Sequence, residues 1–153
     1  MDGSEHVCTS GRRLALALLI GAVGVAGCGG SSKPKLSKDQ FLTQANAICR
    51  TGNAKTNAAG AALGSNPSRA QIVKVVDTQF VPEIQSEITA IRALAVQTAD
   101  KSKLTSMLDL AQAGLEKLKS NPLLAAANGK ASPFADFAAQ AHPYGLTQCA
   151  PTA

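Results

Sequence analysis

Apolar positions along this chain follow two regimes. From Leu14 to Ala26 they form a run of 13 residues, LALALLIGAVGVA, broken only by Gly21 and Gly24. From Phe41 onward they recur every three or four positions, the spacing of helices that each bury one face. No stretch of useful length alternates apolar and polar residues, so the pattern predicts an all-α fold.

Four helices are expected in the second regime. The first opens at Ser37-Lys38-Asp39-Gln40, where Ser37 caps and Gln40 reaches back as a capping box. Phe41, Ala45, Ile48, Cys49 and Gly52 share its apolar face, and the helix runs through an alanine-rich end to stop by Gly64. The second starts with Asn66 as cap and Pro67 at the first helical position. Its stripe is Ile72, Val75, Val76, Phe80, Ile84, Ile88, Ile91 and Leu94. Pro82 interrupts that stripe; its ring excludes the carbonyl of Thr78, which predicts a kink near Val81 or two shorter helices in line. The third follows Gln97–Asp100 and runs to about Lys119, with Leu104, Met107, Leu108, Ala111, Leu115 and Leu118 on one face. Asn121-Pro122 makes a turn, and Leu123–Ala127 can add one or two helical turns. Ser132-Pro133 opens the last helix, which carries Phe134, Phe137, Ala138 and Ala141 and is expected to end at His142-Pro143. Such helices joined by short turns imply an antiparallel helical bundle.

The first regime reads differently. Arg12 and Arg13 supply a positive flank, and the run is shorter than the roughly 20 apolar residues of a membrane span. That is the layout of an export signal, and Val25-Ala26-Gly27-Cys28 resembles the bacterial lipobox. The resemblance implies cleavage between Gly27 and Cys28 and attachment of a diacylglycerol to the Cys28 sulfur, with acylation of the new amino group. Several acyl chains hold a protein at a membrane where a single chain binds only marginally. Ordinary signal-peptidase cleavage, a structural Cys28 and a twin-arginine signal are the alternatives; Ala15-Leu16 fits the last poorly. The expected organisation is a signal peptide at 1–27, a flexible tether at 28–36 and a helical domain at 37–153. Gly29–Lys35, GGSSKPK, has tether composition and would span roughly 15–17 Å at r.m.s. extension.

Cleavage before Cys28 removes 27 of 153 residues and leaves 126, one ordinary domain. That remainder keeps 13 basic and 8 acidic side chains, a net charge of +5. The lysines are scattered and the chain has no tryptophan, which argues against a nucleic-acid binder. Lys33, Lys35 and Lys38 would face anionic lipid head groups, or simply solubilise the linker. Of four cysteines, Cys8 leaves with the signal and Cys28 takes the lipid. Cys49 and Cys149 remain and, beyond the membrane, are expected to form a disulfide, with two separate buried thiols as the alternative. The bond would close a loop of about 100 residues and contribute up to about 4.7 kcal/mol on the chain-entropy model.

Candidate chemistry is sparse. His142 is the single histidine after the signal, so neither a metal site nor a Ser-His-Asp triad has its parts. No catalytic residue, metal or cofactor is expected. Glu83 and Glu87, one turn apart, could work as a carboxylate pair or lie on a solvated helix face. Phe41, Phe80, Phe134 and Phe137 could line a lipid or haem pocket or fill the core.

Phe41-x3-Ala45-x2-Ile48-Cys49 near the start and Tyr144-Gly145-Leu146-x2-Cys149 at the end carry a resemblance. The chain is similar to the small, uncharacterised lipoproteins of actinobacteria, which combine an early helix cysteine with a closing Gly-Leu-x-x-Cys. The likeness implies a helical domain closed by a disulfide and displayed on the extracytoplasmic face of the cell membrane, and it transfers no activity. The expected function is non-catalytic binding or scaffolding in the cell envelope, through an unspecified envelope protein and the lipid anchor. The alternative is a carrier that holds a small apolar ligand between the helices near Pro82; an enzyme is the remote third. Intact mass of the membrane-extracted protein checks the organising expectation. Cleavage before Cys28 plus acyl mass, with a gain of two protons on reduction, is the expected outcome.

Overall fold

The computed structural model describes residues 35–150 with the exception of residue 96. Gly27 and Cys28, with the whole apolar run, lie outside the described residues. Helices dominate in the order α1 (Lys38–Ala61), α2 (Arg69–Val75), α3 (Val81–Ala95), α4 (Lys101–Ser120) and α5 (Ala135–Tyr144). A π-helical segment, Val76–Phe80, joins α2 to α3, and two 3₁₀ turns, Pro122–Ala126 and Gly129–Ala131, lie between α4 and α5. The described residues contain no β-strand; Leu36 makes one isolated bridge to Thr98 and donates its N–H to the Gln97 carbonyl at 2.7 Å.

The capping box forms as the pattern requires: Gln40 N–H donates to Ser37 Oγ at 3.2 Å, and Ser37 N–H to Gln40 Oε1 at 2.9 Å. α1 then buries Phe41, Ala45, Cys49 and Gly52. The next helix departs from expectation at its start. Ser68, not Asn66, is its cap, because Ser68 and Gln71 complete a second capping box that satisfies two backbone donors. Pro67 therefore precedes the helix.

Pro82 has no N–H to offer Thr78, and the chain changes register just before it. The Val81 N–H bonds the Val76 carbonyl five residues back, which closes the π turn. Such wide turns are a known way to insert a residue into a helix without ending it. α3 resumes at Val81 and buries Ile88, Ile91 and Ala95.

α3 packs against α1 and α4, and α4 packs against α5. α4 buries the whole expected stripe, Leu104, Met107, Leu108, Ala111, Leu115 and Leu118, and Gly114 as well. Gly114 is there because Phe134 and the Pro133 carbonyl approach so closely that a Cβ would lie 2.6 and 2.7 Å from them.

The last helix does not end at His142-Pro143. Pro143 lies within α5, which continues to Tyr144. Termination falls to Gly145, whose φ of 112° is open to glycine and strained for other residues. Gly145 N–H bonds His142 O at 3.1 Å and Leu146 N–H bonds Ala141 O at 3.0 Å, the paired bonds of a Schellman motif.

That turn lays the tail along α1. Leu146 is fully buried. Asn46 donates to the Gly145 carbonyl and accepts from the Gln148 N–H, both at 2.9 Å, and Asn53 donates to the Gln148 carbonyl at 2.6 Å. Between the two asparagines, Cys49 is disulfide-bonded to Cys149 with Cα atoms 5.0 Å apart. At this same end of α5 the Tyr144 hydroxyl donates to Asp100 Oδ2 at 2.8 Å. Its ring meets Phe41 edge-on and carries the Lys38 ammonium 4.5 Å from its centroid. Burial and the Asp100 carboxylate push the Tyr144 hydroxyl up to about 12.

Replacing Cys149 by serine is expected to cost about 2–5 kcal/mol. Urea titration of the variant beside the parent, both unreduced, gives that difference.

Candidate functional site

Several positions that the apolar stripes assign to the core are only half-buried: Phe80 and Ile84 on the π–α3 stretch, Phe134 at the N-cap of α5 and Ala138 within it. They share a reason. All four line one cavity of about 900 Å³, at the upper end of small-molecule sites. Its floor is apolar, made by the buried Ile88, Ile91, Leu108, Leu118 and Phe137. Its lip is made by exposed side chains, among them Asn57, Asn128, Lys130 and His142. The Cys49–Cys149 bond lies in the wall, so the tail that closes the fold also encloses part of the cavity.

Glu87 is the acidic group of that wall. It stands where α3 faces α1, half-buried, and its carboxylate occupies the space a side chain on Gly52 would need. Gly52 is therefore the condition for an acid at this place. Burial, then the neighbouring Glu83 charge, push the Glu87 carboxyl from 4.5 up to about 7, while Lys55 opposes the shift.

Glu83 has a different fate. It faces a shallow groove on the α1–α3 surface, which Glu87 also borders, and it is held by Lys55 Nζ at 2.8 and 3.0 Å. The two carboxylates thus diverge, one paired at the surface and one turned against the cavity wall. His142 reaches the same cavity from its exposed rim, so Glu87 and His142 share a cleft and Glu83 does not. Of the phenylalanines, Phe80, Phe134 and Phe137 line the cavity, and Phe41 is core beneath Tyr144.

Among the described residues no group of three His, Cys, Asp or Glu side chains is placed to hold a metal. No described helix is long and apolar enough to cross a membrane. Neither a protein-family signature, nor a curated protein, nor a solved structure matches this chain.

A raised carboxyl pKa favours the folded state while the group is protonated and costs stability as pH rises. Glu87 therefore withdraws stability progressively from about pH 4.5 to beyond 7. Glu87→Gln is expected to match the parent near the bottom of that range. It is expected to exceed the parent by about 1 kcal/mol above the top, a figure reduced for the solvent that still reaches the group. Thermal melts of both proteins at several pH values check the crossing.

Proposed function

We propose that this protein binds a small, mainly apolar molecule in the cavity between α3, α4 and α5, as a non-catalytic component of the cell envelope. The observation that carries the reading is the cavity itself. About 900 Å³ opens between the helices, with the half-buried Phe80, Ile84 and Phe134 on its lining and buried leucine and isoleucine side chains beneath. A concave, mainly apolar cleft of that size with a few polar groups at its edge is the usual form of a small-molecule site.

In this reading the helices form an antiparallel bundle, and the α2–α3 stretch bends at Pro82. Phe80 and Ile84 flank that proline and both face the cavity, so a bend there would set the width of its mouth. The lipobox at Val25–Cys28 would hold the domain at the extracytoplasmic membrane face through a lipidated Cys28, and residues 29–35 would let it move above the head groups. A carrier placed there meets ligands that partition between bilayer and water. A scaffold for another envelope protein remains the second reading, favoured by the tether and anchor but by no feature of the folded surface.

Native mass spectrometry of the protein taken from its own membrane is the test. A bound molecule of a few hundred daltons is expected, and Ile84→Trp, which fills the cavity from a half-buried position, is expected to lose it while keeping the parent's stability to within about 1 kcal/mol. A ligand-free parent would remove the carrier reading.

A further inference from the structure

Glu87 is the sole acidic residue among those lining the cavity, and no side chain among the described residues hydrogen-bonds its carboxyl. The opposite wall offers it nothing: the α4 residues of the lining are Leu108, Ala111 and Leu118. On α3 itself the nearest charge is Glu83, like in sign. From α1 comes Lys55, committed to both oxygens of Glu83. From α5 and the 3₁₀ segment come His142 and Lys130, both exposed at the lip. Gly52 keeps the carboxylate against the wall by leaving room for it there.

Resting on the small-molecule reading above, we infer that the cavity takes an apolar cation, a hydrocarbon or aromatic body bearing one protonated amine, with Glu87 as its counter-ion. Charge decides among the head groups that could enter. A neutral hydroxyl would gain one ordinary hydrogen bond, whereas an ammonium makes a charge-assisted bond roughly twice as strong. An anionic head would be repelled by Glu87 and could pair only with Lys130 and His142 at the lip. Exposed pairs of that kind contribute little, while a pair at the less hydrated wall is screened less. The raised pKa of Glu87 agrees with this: it is a carboxylate short of a cation, and an ammonium beside it would lower the value again.

The test uses the full chain in zwitterionic nanodiscs, with empty nanodiscs subtracted. The neutral fluorophore N-phenyl-1-naphthylamine reports cavity occupancy, and three competitors with the same hydrocarbon chain, dodecylamine, dodecanol and dodecanoate, displace it. At about pH 8 dodecylamine is expected to compete at least about tenfold better than the other two. That preference is expected to shrink by about tenfold or more near pH 5.5, where Glu87 is protonated and the amine still charged. Glu87→Gln is expected to abolish the preference; Glu83→Gln, outside the cavity lining, is expected to bind the fluorophore like the parent and to retain the preference. Equal competition by all three, a preference for dodecanoate, or an amine preference that ignores pH in the parent would each overturn the inference. Failure of the fluorophore to bind the parent at all would instead remove the small-molecule reading on which it rests.

Discussion

The covalent link between Cys49 and Cys149, with Asn46 and Asn53 on either side of it, is the constraint on which the rest of the domain depends. These α1 residues are spaced three and four apart, so they stand on one face of the helix. The tail pairs only part of its own backbone, Cys149 and Ala150 N–H onto Leu146 O, and the two asparagines take Gly145 O, Gln148 N–H and Gln148 O in turn. With those groups paired, Leu146 can be driven fully into the core. Gly145 makes the geometry available, because its left-handed turn points the chain back from α5 toward α1. The closing Tyr-Gly-Leu-x-x-Cys stretch thus has a separate physical role for each named position. Tyr144 is tied to Asp100, Gly145 turns, Leu146 packs and Cys149 locks.

The same fastening shapes the cavity. α4 buries its full stripe and α1 all of its stripe but Ile48, while Phe80, Ile84 and Phe134 stay half-buried along the cavity. Gly114 lets Phe134 come down onto α4, and the 3₁₀ turns before α5 complete the lip. On the facing side Gly52 makes room for Glu87. Two glycines, each giving up a side chain to a neighbour, therefore admit one aromatic and one acidic group to the lining of the same cavity.

Much of this could be read from residue order. The capping box at Ser37, the stripe of α4 and the cysteine pair follow from local rules with little competition, and the structure repeats them. The misses share a cause in backbone hydrogen bonding that single-residue signals do not rank. Asn66-Pro67 is a good helix start, yet Ser68 with Gln71 satisfies two donors where Asn66 would satisfy one, and the start moves. Pro143 reads as a stop, but the helix runs one residue past it to Tyr144, and Gly145 and Leu146 supply the bonds that close its last turn. The cavity was legible only in part. Phe80, Ile84 and Phe134 look like core by spacing, and no local pattern reveals that they line an open cavity instead. Glu87 looked like half of a surface pair with Glu83; its separation from that partner depends on Gly52, 35 positions away on another helix.

The Cys49–Cys149 bond spans a separation of 100 residues, so nearly all of the domain is a closed covalent ring with a short arm at each end. A protease that cuts once in the exposed lip at Asn128–Lys130 would open that ring and release nothing, since both pieces stay joined through the sulfurs. Stretching the chain from its two ends would likewise draw out only the arms, with the load passing across the disulfide and around α2 to α5. Closed in this way, the domain does not come apart at its exposed loops, because the covalent link lies elsewhere.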